Sequence, residues 1–204
     1  LFLKKNFFFC ALRIVLLSIN RISISYMGID IKKNNYIKSL DKKNITLIFV
    51  ENGSVYSGFT TVHKTSFLNY LTPDNSYNSI FVSANLEYPL ATIAHELGHF
   101  FGLQHTFGSS KDPYSTKENK KLANCSTEGD FICDTPPDNN TGALSNCDIV
   151  VPMSTSNLEK EIVYPPILNF MSYSPSKCRS EFTPMQFSLM KKFGLTYRKK
   201  LIIK

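Results

Sequence analysis

The chain is poor in histidine, with four among 204 residues, and it contains no CxxC element. The absence of CxxC argues against a second zinc site built on paired thiolates. A long hydrophobic run is missing too. The apolar stretch of residues 7–19 is interrupted by Arg13, whereas a membrane-spanning helix needs about 20 apolar residues in succession. A basic face is also lacking, although the formal net charge is +7. Lys4, Lys5, Arg13 and Arg21 near the start and Arg198, Lys199, Lys200 and Lys204 at the end are set apart, and 15 basic residues then remain against 16 acidic ones. Nucleic acid is therefore not an expected partner, and the two end clusters read as solvated charge.

What is present suffices for one core, since 43% of the residues are hydrophobic and 13% aromatic. Residues 44–50 (NITLIFV) read as a strand, residues 58–62 as a second, and residues 78–85 (NSIFVSAN) as a third that leads into a helix. Pro89 suits the first position of that helix and Gly102 its end. A last helix has Thr183 as N-cap, Pro184 at its first position, Gln186 closing a capping box, and Phe182 with Phe187 as a hydrophobic staple. Met185, Leu189 and Phe193 fall on one face and read as core packing, with Gly194 as the stop. Between residues 105 and 168 the chain is rich in Asn, Ser, Pro and Gly, without repeat or low-complexity tract, and reads as loop.

Three of the four histidines lie in His95-Glu96-Leu97-Gly98-His99-Phe100-Phe101-Gly102-Leu103-Gln104-His105, the pattern HExxHxxGxxH. Residues four apart share one face of a helix, so His95 and His99 can aim two imidazoles at one metal ion. Gly102 can take a left-handed conformation that returns His105 as a third ligand. Three protein ligands leave a fourth position open, the hallmark of a catalytic rather than a structural zinc. Glu96 directly follows the first ligand and is placed to take a proton from water. The bland reading, two histidines satisfied on a helix, accounts for HExxH alone but not for the longer spacing.

With this pattern the sequence resembles the metzincin zinc endopeptidases. Asn169-Phe170-Met171-Ser172-Tyr173 is similar to the Met-turn of that clan. The resemblance implies that Met171 lies beneath the metal ligands and that Tyr173 reaches the metal or the substrate oxyanion. Thr106, in His105-Thr106-Phe107, resembles the pappalysin and cytophagalysin family (peptidase family M43). Glu128-Gly129-Asp130, Asp134-Thr135-Pro136, Cys178 and Phe182-Thr183-Pro184-Met185-Gln186 add to the likeness, which covers residues 44–194. The implied fold is α+β and metzincin-like: a small twisted mixed sheet over an active-site helix, then a loop-rich, disulfide-stapled C-terminal subdomain with a final helix. The implied activity is hydrolysis of peptide bonds in proteins, zinc-assisted, with Glu96 as general base and Tyr173 as oxyanion partner. A catalytically silent zinc-binding domain, or a truncated non-functional remnant, is the alternative. A silent domain would usually lose Glu96 or Tyr173, and both are present.

The cysteines are at 10, 125, 133, 147 and 178. Cys10 sits in the apolar leader-like run, and the other four permit three pairings that sequence alone leaves open. The resemblance implies Cys125 with Cys147 and Cys133 with Cys178. Disulfides accord with a secreted or extracellular protein, periplasmic or cell-surface placement being compatible as well. Free buried thiols in a cytosolic protein are the competing reading. Lys4 and Lys5 before residues 7–19 resemble a secretory signal, so residues 1–25 read as a leader-like segment and residues 26–204 as the catalytic domain. In the resembling family an earlier strand and a long backing helix come before the strand that residues 44–50 match, so an N-terminally truncated domain is also read. No stable membrane insertion is expected after leader removal, and a monomer acting on proteins or peptides is expected.

Asp130 and Asp134, with neighbouring carbonyl oxygens, are candidate calcium ligands by the same resemblance, although no EF-hand spacing is present and capping of turns by Asp is the plainer reading. Asn44, Asn52, Asn124 and Asn139 match the N-x-Ser/Thr acceptor pattern. Residues 78–85 read as an edge strand on which an extended substrate could dock.

Overall fold

The computed structural model describes residues 19–22, 45–50, 58–60, 62–64, 71–73, 78–84, 86–108, 115–116, 124–138, 147, 153–155, 162–198 and 201. Cys10, most of the leader-like segment, and Asn44, Asn52 and Asn139 lie outside the described residues. The chain divides into two compact units. One holds Leu1–Gly102 with Met190–Lys204, and the other holds Leu103–Leu189.

The first unit is built on a four-stranded mixed sheet of β1 (Ile19–Ile22), β2 (Thr46–Val50), β3 (Gly58–Thr60) and β6 (Ser79–Ser83). The strand order is β1-β2-β6-β3. β1 and β2 run parallel, as do β2 and β6, while β3 is antiparallel to β6. β4 (Val62–Lys64) and β5 (Leu71–Pro73) form a separate antiparallel pair. Thr46, Leu47 and Ile48 of β2 and Ser79 through Val82 of β6 are all buried. Unbroken burial, rather than alternation, is what strands flanked by neighbours and covered on both faces require, and the β-branched and aromatic residues here suit it.

Residues 19–22, which fall within the segment read as leader-like, form a strand, and the isoleucine-rich INRI pairs in register with Leu47 through Val50. One sequence expectation is corrected. Residues 78–85 were expected at the sheet edge, yet β6 lies between β2 and β3, which leaves β3 as the edge next to it.

Helix α1 (Pro89–Phe100) follows β6 and packs on β3 and β6. Pro89 stands in its first turn, where the missing N–H costs nothing. Ala91, Thr92, His95, Glu96 and Phe100 form its buried face. Helix α2 (Pro184–Tyr197) ends the described chain. Gly194 was read as its stop, but Arg198 N–H donates to Gly194 O at 2.9 Å, so the helical ladder runs through the glycine. The buried Arg198 lies over the Phe100 ring at 3.9 Å and donates from Nη1 to Asn78 Oδ1 at 2.7 Å. That tertiary anchor outweighs the roughly 1 kcal/mol that a helical glycine costs.

The second unit contains β7 (Ser115–Thr116), β8 (Met153–Thr155) and β9 (Ile162–Val163) as a small sheet. Otherwise its described residues are mainly turns, with two disulfides. The pairing differs from the expectation of Cys125–Cys147 and Cys133–Cys178. Cys125 bonds Cys133, with Cα atoms 5.0 Å apart, and Cys147 bonds Cys178, at 5.3 Å. Local turns explain the first bridge. Thr127 N and Glu128 N both donate to Asn124 O, Phe131 N donates to Glu128 O, and Gly129 and Phe131 have φ of 64° and 65°. The chain thus doubles back within eight residues. Loop-closure entropy assigns the two bridges about 2.5 and about 3.7 kcal/mol. Digestion of the unreduced protein at Glu128, Asp130 and Asp138, followed by mass spectrometry, should recover Cys125 linked to Cys133 and Cys147 linked to Cys178. Peptides joining Cys125 to Cys147 would restore the pairing implied by the resemblance.

Candidate active site

α1 presents His95 and His99 one turn apart, and their Nε2 atoms face each other at 3.1 Å. The helix then ends at Phe100, with Phe101 N–H shared between the Leu97 and Gly98 carbonyls. Gly102 has φ of +90°, and a Cβ there would stand 2.4 Å from the Phe193 ring. Both the left-handed backbone and the packed ring demand glycine. Three residues on is His105, and one nitrogen from each of His95, His99 and His105 lies within 4.8 Å of the others. Among the described residues this is the only such group of three or more potential metal ligands.

The donor set fits zinc. Zn–N bonds of about 2.0–2.1 Å at tetrahedral angles separate adjacent nitrogens by about 3.3 Å, close to the His95–His99 spacing. His95 is buried, while His99 and His105 are partly open to solvent. Glu96, beside the first ligand, is buried as well.

In the second unit His105 is held from several sides. Its ring stacks on Phe107 at 4.7 Å and meets the edge of Tyr173 at 4.4 Å, and Phe107 and Tyr173 contact each other at 4.8 Å. Tyr173 is 53% exposed and Phe107 is buried. Sequence reasoning named Tyr173 but missed Phe107, whose only signal was its place two residues after the third ligand. Thr106 is fully buried. Its N–H donates to Met171 O at 3.2 Å, and its hydroxyl donates to the buried Asp138. The Met-turn methionine thus supports the residue next to the ligand through its backbone. Asp138 carried no motif and was not singled out.

The Met-turn is fixed in turn by Asn169 and Gln186, both buried. Asn169 Nδ2 donates to Gln186 Oε1 at 2.9 Å, Gln186 Nε2 donates to Asn169 Oδ1 at 3.1 Å, and Met171 N donates to Asn169 Oδ1 at 2.9 Å. Gln186 also completes the expected capping box. Thr183 N donates to its Oε1 at 2.9 Å, and its own N–H donates to Thr183 Oγ1 at 3.2 Å. The Phe182–Phe187 staple is present at 5.5 Å. The expected core stripe is corrected in part: Phe193 is buried as expected, but Met185 is 45% exposed, and Gln186 and Met190 are buried. Gln186 is turned inward by its bonds to Asn169, which rotates Met185 outward. Gln186→Leu should cost about 1–3 kcal/mol, because it leaves Asn169 Nδ2 and Thr183 N–H without their partner. Urea unfolding measures this, and an unchanged midpoint would remove Gln186 from the framework.

The calcium reading is not supported. Asp134 spends both oxygens on the start of α2, accepting from Thr183 Oγ1 at 2.6 Å and Met185 N at 2.8 Å. This is an anion at a helix N-terminus, a favourable placement in itself. Asp130 is buried, and its Oδ1 accepts from Ile132 N at 2.9 Å and Thr135 Oγ1 at 2.8 Å, while Oδ2 has no hydrogen-bond partner. Burial pushes its carboxyl up to about 7. The bonds from Thr135 and Ile132 oppose that shift and the nearby Asp134 charge adds to it. Because the folded pKa exceeds the unfolded value, the fold binds this proton more tightly than the open chain does. Its contribution is full below the unfolded carboxyl range and is lost as pH rises toward 7. The difference in stability between parent and Asp130→Asn should therefore vary across that window, with the parent losing stability relative to the variant as pH rises. Parallel urea curves at all pH values would contradict it.

With this geometry in place, comparison with known proteins decides the family. The peptidase M43 model, described as pregnancy-associated plasma protein-A, matches residues 30–194. The chain belongs to peptidase family M43. It is 34% identical over 107 residues to an extracellular metalloprotease of Podospora anserina and 35% identical over 107 residues to one of Colletotrichum graminicola. Each match covers 52% of this chain and 30% or 31% of the relative, so the shared stretch spans less than a third of these relatives. Among solved structures, mature mirolysin of Tannerella forsythia in complex with a cleaved peptide superposes with a TM-score of 0.53 at 19% identity. That match covers 79% of this chain and 57% of mirolysin, and it bears on the fold. The metzincin-like α+β reading is thereby supported at the level of a small mixed sheet, two helices and two disulfides. No described helix is long and apolar enough to cross a membrane.

Proposed function

We propose that this M43 chain carries the catalytic core of an extracellular zinc endopeptidase that hydrolyses peptide bonds of proteins. The observation that carries the reading is the convergence of His95, His99 and His105 with Glu96 next to the first of them. Three neutral imidazoles would hold zinc. Bound there, the ion would polarise the scissile carbonyl and acidify water, the chemistry that peptide hydrolysis needs near neutral pH.

The chain's own groups supply the remainder. Glu96 takes the proton from the attacking water and passes it to the departing amine, so one carboxylate serves as base and then acid. Its burial keeps competing water away and strengthens its interactions. Tyr173, half exposed against His105, donates its hydroxyl to the oxyanion of the tetrahedral intermediate. An extended peptide would pair with the side of β3 that faces away from β6, which among the described residues is a sheet edge, and main-chain bonds there hold any sequence alike. Phe107 and Thr106 keep His105 oriented and touch no reacting atom in this scheme. The extracellular setting is supported by the relatives' names and by two disulfides in a small unit.

The deciding experiment incubates zinc-loaded protein with a peptide library beside Glu96→Gln, with metal content measured for both. The parent should cleave and the variant should lose about 10³-fold or more in kcat while retaining one zinc. Tyr173→Phe should lose about 10²-fold with zinc again retained. Folded, zinc-bound parent protein without any cleavage would move the reading to a silent zinc domain.

A further inference from the structure

Gly58, in β3, lies against Glu96. A Cβ added to Gly58 would stand 3.0 Å from Glu96 Cγ, 3.0 Å from Glu96 Oε1 and 3.0 Å from the Phe81 carbonyl oxygen. Ordinary contacts between such atoms begin near 3.5 Å, so the carboxylate of α1 occupies the space that any other residue's side chain would need. A glycine within a strand usually marks the close approach of another group, and here that group is Glu96. The register adds a constraint. Gly58 pairs with Val82 and Phe59 with Phe81, while Phe81 also pairs with Ile48 on its other side. The Phe81 carbonyl therefore belongs to a strand held on both edges and cannot retreat. A side chain at position 58 would be stopped by that backbone and would push the flexible partner, Glu96.

We infer that Gly58 is a positioning residue for catalysis: its missing side chain is the seat that sets where the Glu96 carboxylate stands. The inference rests on the reading of Glu96 as the proton carrier. A proton carrier must lie within hydrogen-bond reach of the water it activates, and displacement by a fraction of an ångström to an ångström lowers the rate steeply. The neighbouring ligands belong to the helix backbone on either side of Glu96, so zinc binding is not expected to follow the displacement. Glycine at position 58 is thus explained by the reacting group and not by a turn, since its φ lies outside the left-handed region.

The test compares the parent with Gly58→Ala and Gly58→Val by kcat, KM, zinc content and melting temperature, and adds Glu96→Ala and the Gly58→Ala/Glu96→Ala double variant. For Gly58→Ala, kcat should fall about tenfold with KM within about twofold and zinc unchanged, and for Gly58→Val it should fall further. In the melting series, Gly58→Ala should lower the melting temperature more when Glu96 is present than in the Glu96→Ala background, because the carboxylate's share of the obstruction is then gone while that of the Phe81 carbonyl remains. Equal kcat for parent and Gly58→Ala, or an equal melting shift in both backgrounds, would overturn the inference. If the parent itself cleaves nothing, the proposed function fails, yet the melting cycle still decides whether Gly58 and Glu96 compete for one space.

Discussion

A single helix can supply two of the three imidazoles but never the third, and this constraint governs the region around the site. Side chains four residues apart point the same way, whereas the next residue on that face lies farther along the axis and away from the point where the first two converge. The chain must therefore abandon the helix within a turn of His99 and come back. Gly102 does so at φ +90° with the Phe193 ring filling the volume where a Cβ would be. The same position is thus fixed twice, by backbone conformation and by packing. Phe193 is itself supplied by the last helix, and Arg198 one turn later ties Phe100 to Asn78. The geometry of a ligand turn in the middle of the sequence is in this way stabilised by the chain's last described helix.

Behind His105 the support is polar and buried rather than apolar. Thr106, Asp138, Asn169 and Gln186 are all withdrawn from solvent, and each makes bonds to the Met-turn or to the residue next to the ligand. Such a network is worth having only when its members are satisfied, since an unpaired buried donor costs about as much as several surface contacts contribute. Its advantage over an apolar filling is direction. An apolar side chain can slide, but a carbonyl that accepts from Thr106 N–H fixes the height of His105 relative to the turn, and Phe107 and Tyr173 then limit its rotation.

The legible part of the sequence was the part governed by short-range rules. The ligand spacing, Pro89 and Gly102, the capping box at Thr183 and Gln186, and the Phe182–Phe187 staple each depend on residues within about a dozen positions of one another. Strands at 46–50 and 79–83 were legible because β-branched and aromatic residues run together there. What could not be read depends on partners far along the chain. Gly194 carries no sign that Arg198 will be anchored to Asn78 and so carry the helix past it. Met185 and Gln186 exchange places because of Asn169, 17 residues earlier. Strand order is likewise invisible in a sequence that meets β3 before β6, and so the edge was assigned to the wrong strand. The cysteine pairing failed for the opposite reason: the compact turns of residues 124–135 are local, but they follow from hydrogen bonds to Asn124 and Asp130 that composition does not announce.

Asp130 and Asp134 show why residue type alone does not name a site. They are one short turn apart, in the same disulfide-bounded region, and look equivalent as oxygen donors. Asp134 meets two donors at the start of a helix, one of them a backbone N–H, and caps it. Asp130 accepts two bonds on one oxygen and none on the other while buried from water, so its ionised form is penalised. A hard cation would need the two to face a common point with further oxygens around it. Here both oxygens of Asp134 are already taken by donors at the start of α2. Where α2 begins is set by Thr183, Pro184 and Gln186, and Gln186 also holds Asn169 of the Met-turn. Asp134, a candidate cation ligand by residue type, thereby serves the start of the helix whose Gln186 fixes the Met-turn.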